Sequence, residues 1–246
     1  AGVDFMAFNT DAQALKMSQA PITLQLGEEL TKGLGVGGNA ELGAQAAEES
    51  LDQIQEYLEG ANMVFITAGM GGGTGTGAAP VIAGVAKNMG ALTVAVVTKP
   101  FDFEGSKRME IAEEGIAKLR DKVDTLIIVP NQRLLEVVNE SEKLSFIDAM
   151  KKVDSVLAEG VNSISNLISE TGYINADFND AKSVMENAGT ALMGIGRASG
   201  ENRAEDAARL ATTSPLLDMS IEGATGVLYN IVGGTDLSLA EISEVS

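Results

Sequence analysis

The sequence feature that most restricts the fold of this chain is a glycine-rich run between two apolar segments. Six of the nine residues in Gly69–Gly77 are glycine, and the apolar segment Ala61–Ala68 comes directly before them. Ala78–Gly90 has the composition of a helix, with Pro80 in its first turn, and Leu92–Val97 is again apolar. This order predicts a strand, a loop, a helix and a second strand, and unbroken apolar strands are typical of a parallel sheet.

The glycine run also predicts a site for phosphate. Glycines allow several backbone N–H groups to surround one point, and the helix that follows directs its positive N-terminal end there. Thr74 and Thr76 add hydroxyl donors without adding charge. A tight turn that only packs a helix against a sheet needs one or two glycines, so a run of this length favours phosphate or nucleotide binding.

Two more specific nucleotide patterns fit the run less well. No Gly-Lys-Ser/Thr sequence closes it, so it is not a Walker A loop. The spacing from Gly73 to Ala78 agrees with the loose dinucleotide fingerprint, but residues 98–100 (Thr-Lys-Pro) stand where an acid would bind ribose. A nicotinamide-dependent oxidoreductase is therefore disfavoured.

Charge and composition exclude several classes of function. The formal net charge of −18 argues against binding to nucleic acid or to an anionic membrane surface. The sequence has no cysteine and no histidine, so acid–base chemistry falls to carboxylates, lysine or metal-bound water. We expect no direct membrane insertion, because no apolar run approaches the length that spans a bilayer.

The alternation of predicted strands and helices continues on both sides of the glycine run and predicts a larger α/β fold. Strands and helices alternate in the order β, α, β, α, β, α, β, which predicts a parallel Rossmann-type sheet with helices on both faces. The further segments are strands at Val3–Phe8 and Thr125–Val129, helices at Ala40–Leu58 and Ser106–Asp121, a short alternating segment at Ile22–Leu26 and a second glycine-rich loop at Thr31–Asn39.

A long helix is predicted in the second half of the chain. Apolar residues recur at spacings of three and four over Leu144–Ser169, which is about seven turns at 3.6 residues each. Such a helix is expected to run through the middle of the molecule. The pattern then changes to part of a second, α+β domain, with helices at Ala181–Ala188 and Glu201–Ala211 and strands at Ala191–Ile195 and Val227–Val232.

Polar residues follow two of the predicted strands at their carboxyl ends. Glu104 and Arg108 come after Leu92–Val97; the arginine suits phosphate, and the glutamate can accept from ribose hydroxyls. Asn131 comes after Thr125–Val129, where its amide can read the edge of a base. The alternatives are an exposed Glu–Arg pair at helical spacing and a polar helix cap.

Carboxylates in the second half of the chain are further candidates. Asp154 interrupts the apolar stripe of the long helix and either faces solvent or accepts from the N–H groups of a guanine edge. Asp177 and Asp180, with Asn175 before them, share one side of a helix start, where they can polarise a water or hold hydrated Mg²⁺. The alternative is helix capping. If the long helix spans the molecule, this pair lies far from the glycine run, and one subunit does not complete the site.

Six sequence motifs resemble those of the tubulin/FtsZ family. GGGTGTGAAP at Gly71–Pro80 matches the signature of the family. The others resemble its bacterial cell-division members and extend over essentially the whole chain: NTDAQAL at Asn9–Leu15, TKGLG at Thr31–Gly35, VTKPFDFEG at Val97–Gly105, NADFND at Asn175–Asp180 and SPLL at Ser214–Leu217.

The resemblance implies a cytoplasmic GTPase that binds GTP or GDP with Mg²⁺. It implies assembly with copies of itself, head to tail, into the filaments of the bacterial division ring at mid-cell. It also implies these roles: phosphate binding for Gly71, Gly72, Gly73, Thr74 and Gly75, ribose and phosphate binding for Glu104 and Arg108, guanine binding for Asn131 and Asp154, and action on the water that attacks the neighbour's nucleotide for Asn175, Asp177 and Asp180.

The resemblance further implies a GTP-binding domain at residues 1–143, a central helix at 144–172 and part of a GTPase-activating domain at 173–246. The family's first strand, phosphate loop and helix would precede this sequence, and the tail that binds division proteins and membrane tethers would follow it. Met150 stands where an aromatic residue often stacks on the base, and its thioether can still cover a ring. We expect the 246-residue segment alone to bind GTP poorly.

Two further functions are open at this point. A tubulin-like relative that serves cell shape or plasmid segregation is less favoured, because the acidic segment and the NTDAQ motif are of the bacterial type. A nucleotide-binding scaffold that polymerises without turnover is less favoured because it would not need both Asp177 and Asp180.

Overall fold

The computed structural model describes residues 3–133, 145–169, 177–214, 217, 221 and 223–245. Contacts divide the chain into two units. The first unit contains Ala1–Gln132 and Met185–Ala191, and the second contains Arg133–Val184 and Leu192–Ser246.

The first unit is built on parallel strands. β1 (Met6–Asn9) pairs with β2 (Ile22–Gln25) in a two-stranded sheet. The four-stranded sheet has the order β3-β4-β5-β6, all parallel, with β3 at Met63–Gly69, β4 at Leu92–Lys99, β5 at Thr125–Pro130 and β6 at Gly189–Ala191. Seven of the eight residues of β4 are buried, as expected for a central strand in a parallel sheet. The predicted parallel α/β fold is confirmed.

Helices connect these strands in the expected order. They are α1 (Ala12–Met17), α2 (Glu28–Thr31), α3 (Ala40–Glu49), α4 (Leu51–Leu58), α5 (Thr74–Asn88) and α6 (Ser106–Arg120), with a 3₁₀ turn at Asp102–Glu104. α3 packs against α5 so closely that a side chain at Gly77 would overlap the carbonyl oxygen of Ala40. Glycine at this position therefore lets two helix backbones touch.

Two predicted helix boundaries are wrong. The helix predicted over Ala40–Leu58 is broken at Ser50, whose hydroxyl accepts a hydrogen bond of 3.0 Å from the buried N–H of Gly27. The helix after the glycine run begins at Thr74, four residues earlier than predicted. Pro80 therefore lies inside α5 rather than in its first turn, and its ring removes the N–H that would bond the carbonyl of Thr76.

A buried charge network, which the sequence did not predict, joins α5 to the sheet. Asp124 is 5% exposed, and its Oδ2 accepts from the backbone N–H of Thr93 at 2.9 Å. Its Oδ1 lies 3.0 Å from Lys87 Nζ, which also donates to Asn187 Oδ1 at 3.2 Å. Both oxygens of the buried carboxylate therefore have a partner, which a buried charge requires.

The second unit is largely helical among its described residues. It contains α7 (Phe146–Ser169), most of α8 (Phe178–Met185), α9 (Arg203–Thr212) and α10 (Leu239–Val245). In the described part of the chain, no helix combines the length and apolar character needed to cross a membrane. The long helix is confirmed, starting two residues later than predicted.

Neither strand predicted in this part of the chain lies where the sequence placed it. The predicted strand Val227–Val232 has no regular secondary structure. Val227, Tyr229 and Val232 are exposed, while Leu228 and Ile231 are half-buried. The strand predicted at Ala191–Ile195 lies earlier, at Gly189–Ala191. The backbone at Gly194 packs against the carbonyl of Ala211 in α9, which a hydrophobicity pattern does not reveal.

Arg203 ties the start of α9 to the start of α10. Its Nε donates to Glu241 Oε1 at 2.5 Å, and its NH1 donates to Asp236 Oδ2 at 2.6 Å. Glu241 also completes a capping box, because its Oε2 accepts from the N–H of Ser238 at 2.8 Å while the Ser238 hydroxyl accepts from the Glu241 N–H. These donors, the Arg203 guanidinium first, lower the pKa of Glu241 from 4.5 to about 2.

This pKa shift predicts that Glu241 stabilises the fold in a pH-dependent way. A depressed carboxylate pKa contributes stability above the unfolded pKa of 4.5, and that stability is lost as the pH falls toward 2. In urea unfolding, Glu241→Gln should therefore be less stable than wild type at pH 6, and the two should converge toward pH 2. Glu244→Gln, on the exposed side of the same helix, is the control. A difference that does not change with pH would contradict this origin.

Candidate functional site

The predicted phosphate, ribose and base residues of the first unit all follow the carboxyl ends of its strands. β3 ends at Gly69, immediately before the glycine run, and β4 ends at Lys99, before Glu104 and Arg108. β5 ends one residue before Asn131. Ligands of open parallel α/β sheets bind at this edge.

Glycine is required at different positions of the run for different structural reasons. Gly71 has φ +97°, which side chains rarely adopt, and a Cβ there would lie 2.7 Å from the carbonyl oxygen of Arg108. A Cβ at Gly73 would crowd α3, at 2.9 Å from the N of Asn39. A Cβ at Gly72, by contrast, would meet nothing within 4 Å. The run is therefore packed on both sides and open at Gly72.

The open side of the run contains the N-terminus of α5. The first N–H groups of a helix have no partner within it, and here they belong to Thr74 and the residues after it. Gly75 allows this turn to approach β3, because a Cβ there would lie 3.1 Å from the carbonyl oxygen of Gly69. Unpartnered N–H groups and the positive helix end together suit an anion.

The two threonines of the run differ in role. Thr76 is 2% exposed, and its hydroxyl accepts from the N–H of Gly71 at 2.9 Å, so this side chain shapes the loop from inside. Thr74 is only partly buried, and its hydroxyl lies 2.6 Å from that of Thr10. Sequence reasoning missed Thr10, although its place directly after a strand and inside NTDAQ was a usable signal.

Glu104 and Arg108 form an ion pair beside the glycine run. Arg108 Nε lies 3.1 Å from Glu104 Oε2, and Glu104 Oε1 accepts from the N–H of Phe101 at 2.8 Å. The helical ion pair, considered above as the alternative, is therefore present. It is also next to the predicted phosphate loop, because the backbone of Arg108 lies against Gly71. The Arg108 side chain is about half exposed, so an anion can reach it beside its partner Glu104.

Asn131 has a buried acceptor without a partner. The residue is 7% exposed, and among the described residues nothing donates to its Oδ1. A buried polar atom without a hydrogen bond is costly, so such an atom in a native protein suggests a bond made to a ligand or water. The observation fits an amide that reads the edge of a base.

Two candidates for the base lie on α7 in the second unit. Met150 is half-buried and Asp154 is exposed. They stand four residues apart on a continuous helix, so they share one face. A carboxylate and a thioether on one face suit a flat ring with N–H donors at its edge.

Asp177 and Asp180 cap the start of α8. The N–H of Asp180 donates to Asp177 Oδ1 at 2.9 Å, and the N–H of Asp177 donates to Asp180 Oδ2 at 3.1 Å. The two carboxylates therefore share one side, as predicted, and also serve the alternative role of caps. Capping uses one oxygen of each, and both side chains are exposed. Asn175 lies outside the described residues.

No group of three or more acidic side chains among the described residues is arranged to hold a metal ion.

Two family models match the chain. The Tubulin/FtsZ family, GTPase domain, matches residues 1–139, and the FtsZ family, C-terminal domain, matches residues 189–246. Together they include the glycine run, the ion pair and Asn131, but not Asp154, Asp177 or Asp180.

Solved structures of similar proteins agree with these matches. An empty FtsZ dimer from M. jannaschii is 47% identical and has a TM-score of 0.94, covering 99% of this chain and 70% of that one. A point mutant of M. jannaschii FtsZ gives the same identity, TM-score and coverage of this chain, with 73% of that chain covered. CetZ2 from Haloferax volcanii, a GTPγS-bound protofilament, is 24% identical with a TM-score of 0.70, covering 84% of this chain and 60% of that one, and shows a shared fold.

Proposed function

The chain belongs to the Tubulin/FtsZ family, and from this premise we propose that it is the filament-forming GTPase of a cell-division ring. Membership in the family gives guanine-nucleotide binding, GTP hydrolysis and self-association. The observation that best supports the nucleotide site is the N-terminus of α5 at Thr74, which follows the uncrowded backbone of Gly72. Arg108 packs against Gly71 beside it. The role in a division ring is our extension.

We assign the nucleotide's parts to the side chains described above. Backbone N–H groups of Gly72–Gly75 and the Thr74 hydroxyl bind phosphate, supported by the positive end of α5. The N–H of Gly71 is already donated to the Thr76 hydroxyl, so Gly71 contributes to the phosphate site through the shape of the loop. Arg108 binds phosphate, and Glu104 accepts from ribose hydroxyls. Asn131 and Asp154 read the guanine edge, and Met150 covers the ring. The unpartnered Asn131 Oδ1 supports its part of this assignment.

Hydrolysis requires a polarised water at the terminal phosphate. We propose that Asp177 and Asp180, with Asn175, act on this water in the nucleotide of the next subunit. Each carboxylate keeps one oxygen outside the capping box, which leaves it an acceptor for a water proton. Mg²⁺, bound through phosphate oxygens, would neutralise the charge that develops during the reaction. A head-to-tail contact of this kind does not close on itself and gives filaments.

We further propose the division of the chain into a GTP-binding domain at 1–143, a linking helix at 144–172 and a GTPase-activating domain at 173–246. Matches of separate family models to residues 1–139 and 189–246 support it. The site of action would be the cytoplasm at mid-cell. Its further partners would be division proteins and membrane tethers.

The test is GTP hydrolysis per subunit, measured on the full-length protein across a series of protein concentrations. We expect activity near zero at low concentration and a rise above a threshold, because the site is shared between subunits. Activity per subunit that is independent of concentration would show a self-contained site and would overturn the assignment of Asp177 and Asp180. Filaments without any turnover would identify a scaffold instead.

A further inference from the structure

We infer that Thr10 is a positioning residue for nucleotide binding: its hydroxyl fixes the hydroxyl of Thr74 as a donor to phosphate. The inference rests on the proposed function, because it assumes that an anion occupies the N-terminus of α5. The observation behind it is the hydroxyl–hydroxyl contact of 2.6 Å between Thr10, directly after β1, and Thr74, the first residue of α5.

The burial of Thr10 decides which hydroxyl donates. Thr10 is 0% exposed, so its proton has no access to bulk water. Thr74 Oγ1 is the acceptor that the structure shows for it. If Thr74 donated instead, the proton of Thr10 would be buried without an acceptor, which is unfavourable. The hydroxyl of Thr10 therefore donates and Thr74 Oγ1 accepts.

This direction leaves the proton of Thr74 available to a ligand. A hydroxyl has one proton and can accept while it donates. Thr74 is only partly buried and stands at the N-terminus of α5, where we place the phosphate. A hydroxyl that already accepts one hydrogen bond is oriented before the anion arrives, so less freedom is lost on binding.

The backbone around Thr10 holds its side chain in place. The carbonyl of Thr10 accepts from the N–H of Gly35 at 3.2 Å and from the hydroxyl of Thr31 at 3.3 Å. On either side, Asn9 Oδ1 accepts from the N–H of Asp11 at 3.2 Å, and Asp11 caps α1. Thr10 therefore has a fixed position between the second glycine-rich segment and the first turn of α5.

The test compares ligands with and without phosphate on the full-length protein. GTP and guanosine affinities are measured by isothermal titration or competition for Thr10→Val, which removes the hydroxyl and keeps the shape. We expect Thr10→Val to lower GTP affinity about tenfold, because the Thr74 hydroxyl loses the hydrogen bond that orients it toward phosphate, and to leave guanosine affinity unchanged. Thr10→Ser, which keeps the hydroxyl, should bind GTP like wild type.

A double-mutant cycle separates positioning from general damage. If Thr10 acts through Thr74, Thr10→Val should cost no further GTP affinity in a Thr74→Ala background. Equal losses for GTP and guanosine, an additive double mutant, or no loss at all would each overturn the inference. Failure of the proposed function looks different, because wild type itself would then bind GTP no better than guanosine.

Discussion

Replacing Asp180 by asparagine is expected to lower GTP turnover in the assembled protein by about a hundredfold or more, the usual range for loss of an acid–base group. GTP binding should be unchanged, because the predicted nucleotide site is carried by other residues. The change is chosen for its small effect on structure. The asparagine side-chain oxygen can still accept from the N–H of Asp177, and the bond from the N–H of residue 180 to Asp177 Oδ1 does not involve the substituted side chain. Both bonds of the capping box of α8 are therefore kept.

The matched control is Glu205→Gln, which removes an exposed acidic charge from the first turn of α9. It changes the net charge by the same amount and lies at an equivalent helix position, so turnover should stay close to wild type. Equal loss in both variants would point to an effect of charge on assembly rather than on the reacting water. Turnover and filament mass are therefore measured on the same samples.

Mixing two inactive variants tests whether the acid acts on the neighbour. Asp180→Asn has an intact phosphate site, whereas Gly71→Val has intact acids and a loop strained by its φ of +97° and by contact with Arg108. In a head-to-tail filament of the mixture, some contacts join the intact phosphate site of an Asp180→Asn subunit to the intact acids of a Gly71→Val subunit. Activity should then exceed the sum of the separate proteins. A mixture that is only additive would place both halves of the site in one subunit.

The sequence predicted those parts of the fold that depend on hydrophobic pattern and local chemistry. The strand–glycine–helix–strand unit, the parallel sheet and the long helix are confirmed because each has a continuous pattern of its own. The predicted helix boundary was wrong where a contact with a residue distant in sequence determines it. The break at Ser50 depends on the buried N–H of Gly27, which lies 23 residues earlier in the chain.

The same distinction applies to the candidate site. Asn131, directly after β5, and Arg108, in the first turn of α6, could be found as candidates because the segments after parallel strands lie at the carboxyl edge of the sheet. Their roles toward a ligand stay predictions. Thr10 was missed despite its place directly after a strand, because the contact that gives it a role is with a side chain 64 residues away. The network of Lys87 and Asp124 was also invisible, since nothing in the spacing shows that the aspartate is buried.

The second large effect concerns Gly77, the last residue of the glycine run. Gly77→Ala should lower the free energy of unfolding by about 2–3 kcal/mol, the upper range for overpacking a tight interior. The new Cβ would overlap the carbonyl oxygen of Ala40 and lie 2.6 Å from the N of Ala44. Both are backbone atoms of α3, so no rotation of a side chain relieves the clash, and the two helices have to separate.

The same substitution at Gly84, two turns later in α5, should have the opposite sign. A Cβ at Gly84 would meet only the end of the flexible Lys122 side chain, at 3.9 Å. Alanine there should raise the free energy of unfolding by about 0.5–1 kcal/mol, the difference in helix propensity from glycine. Urea unfolding of Gly77→Ala and Gly84→Ala measures both changes in the free energy of unfolding. If both changes stabilised the protein, α3 and α5 would not be in backbone contact, and the glycine at position 77 would need another explanation, such as ligand binding. We expect opposite signs, because the close packing of α3 against α5 is what requires glycine at position 77.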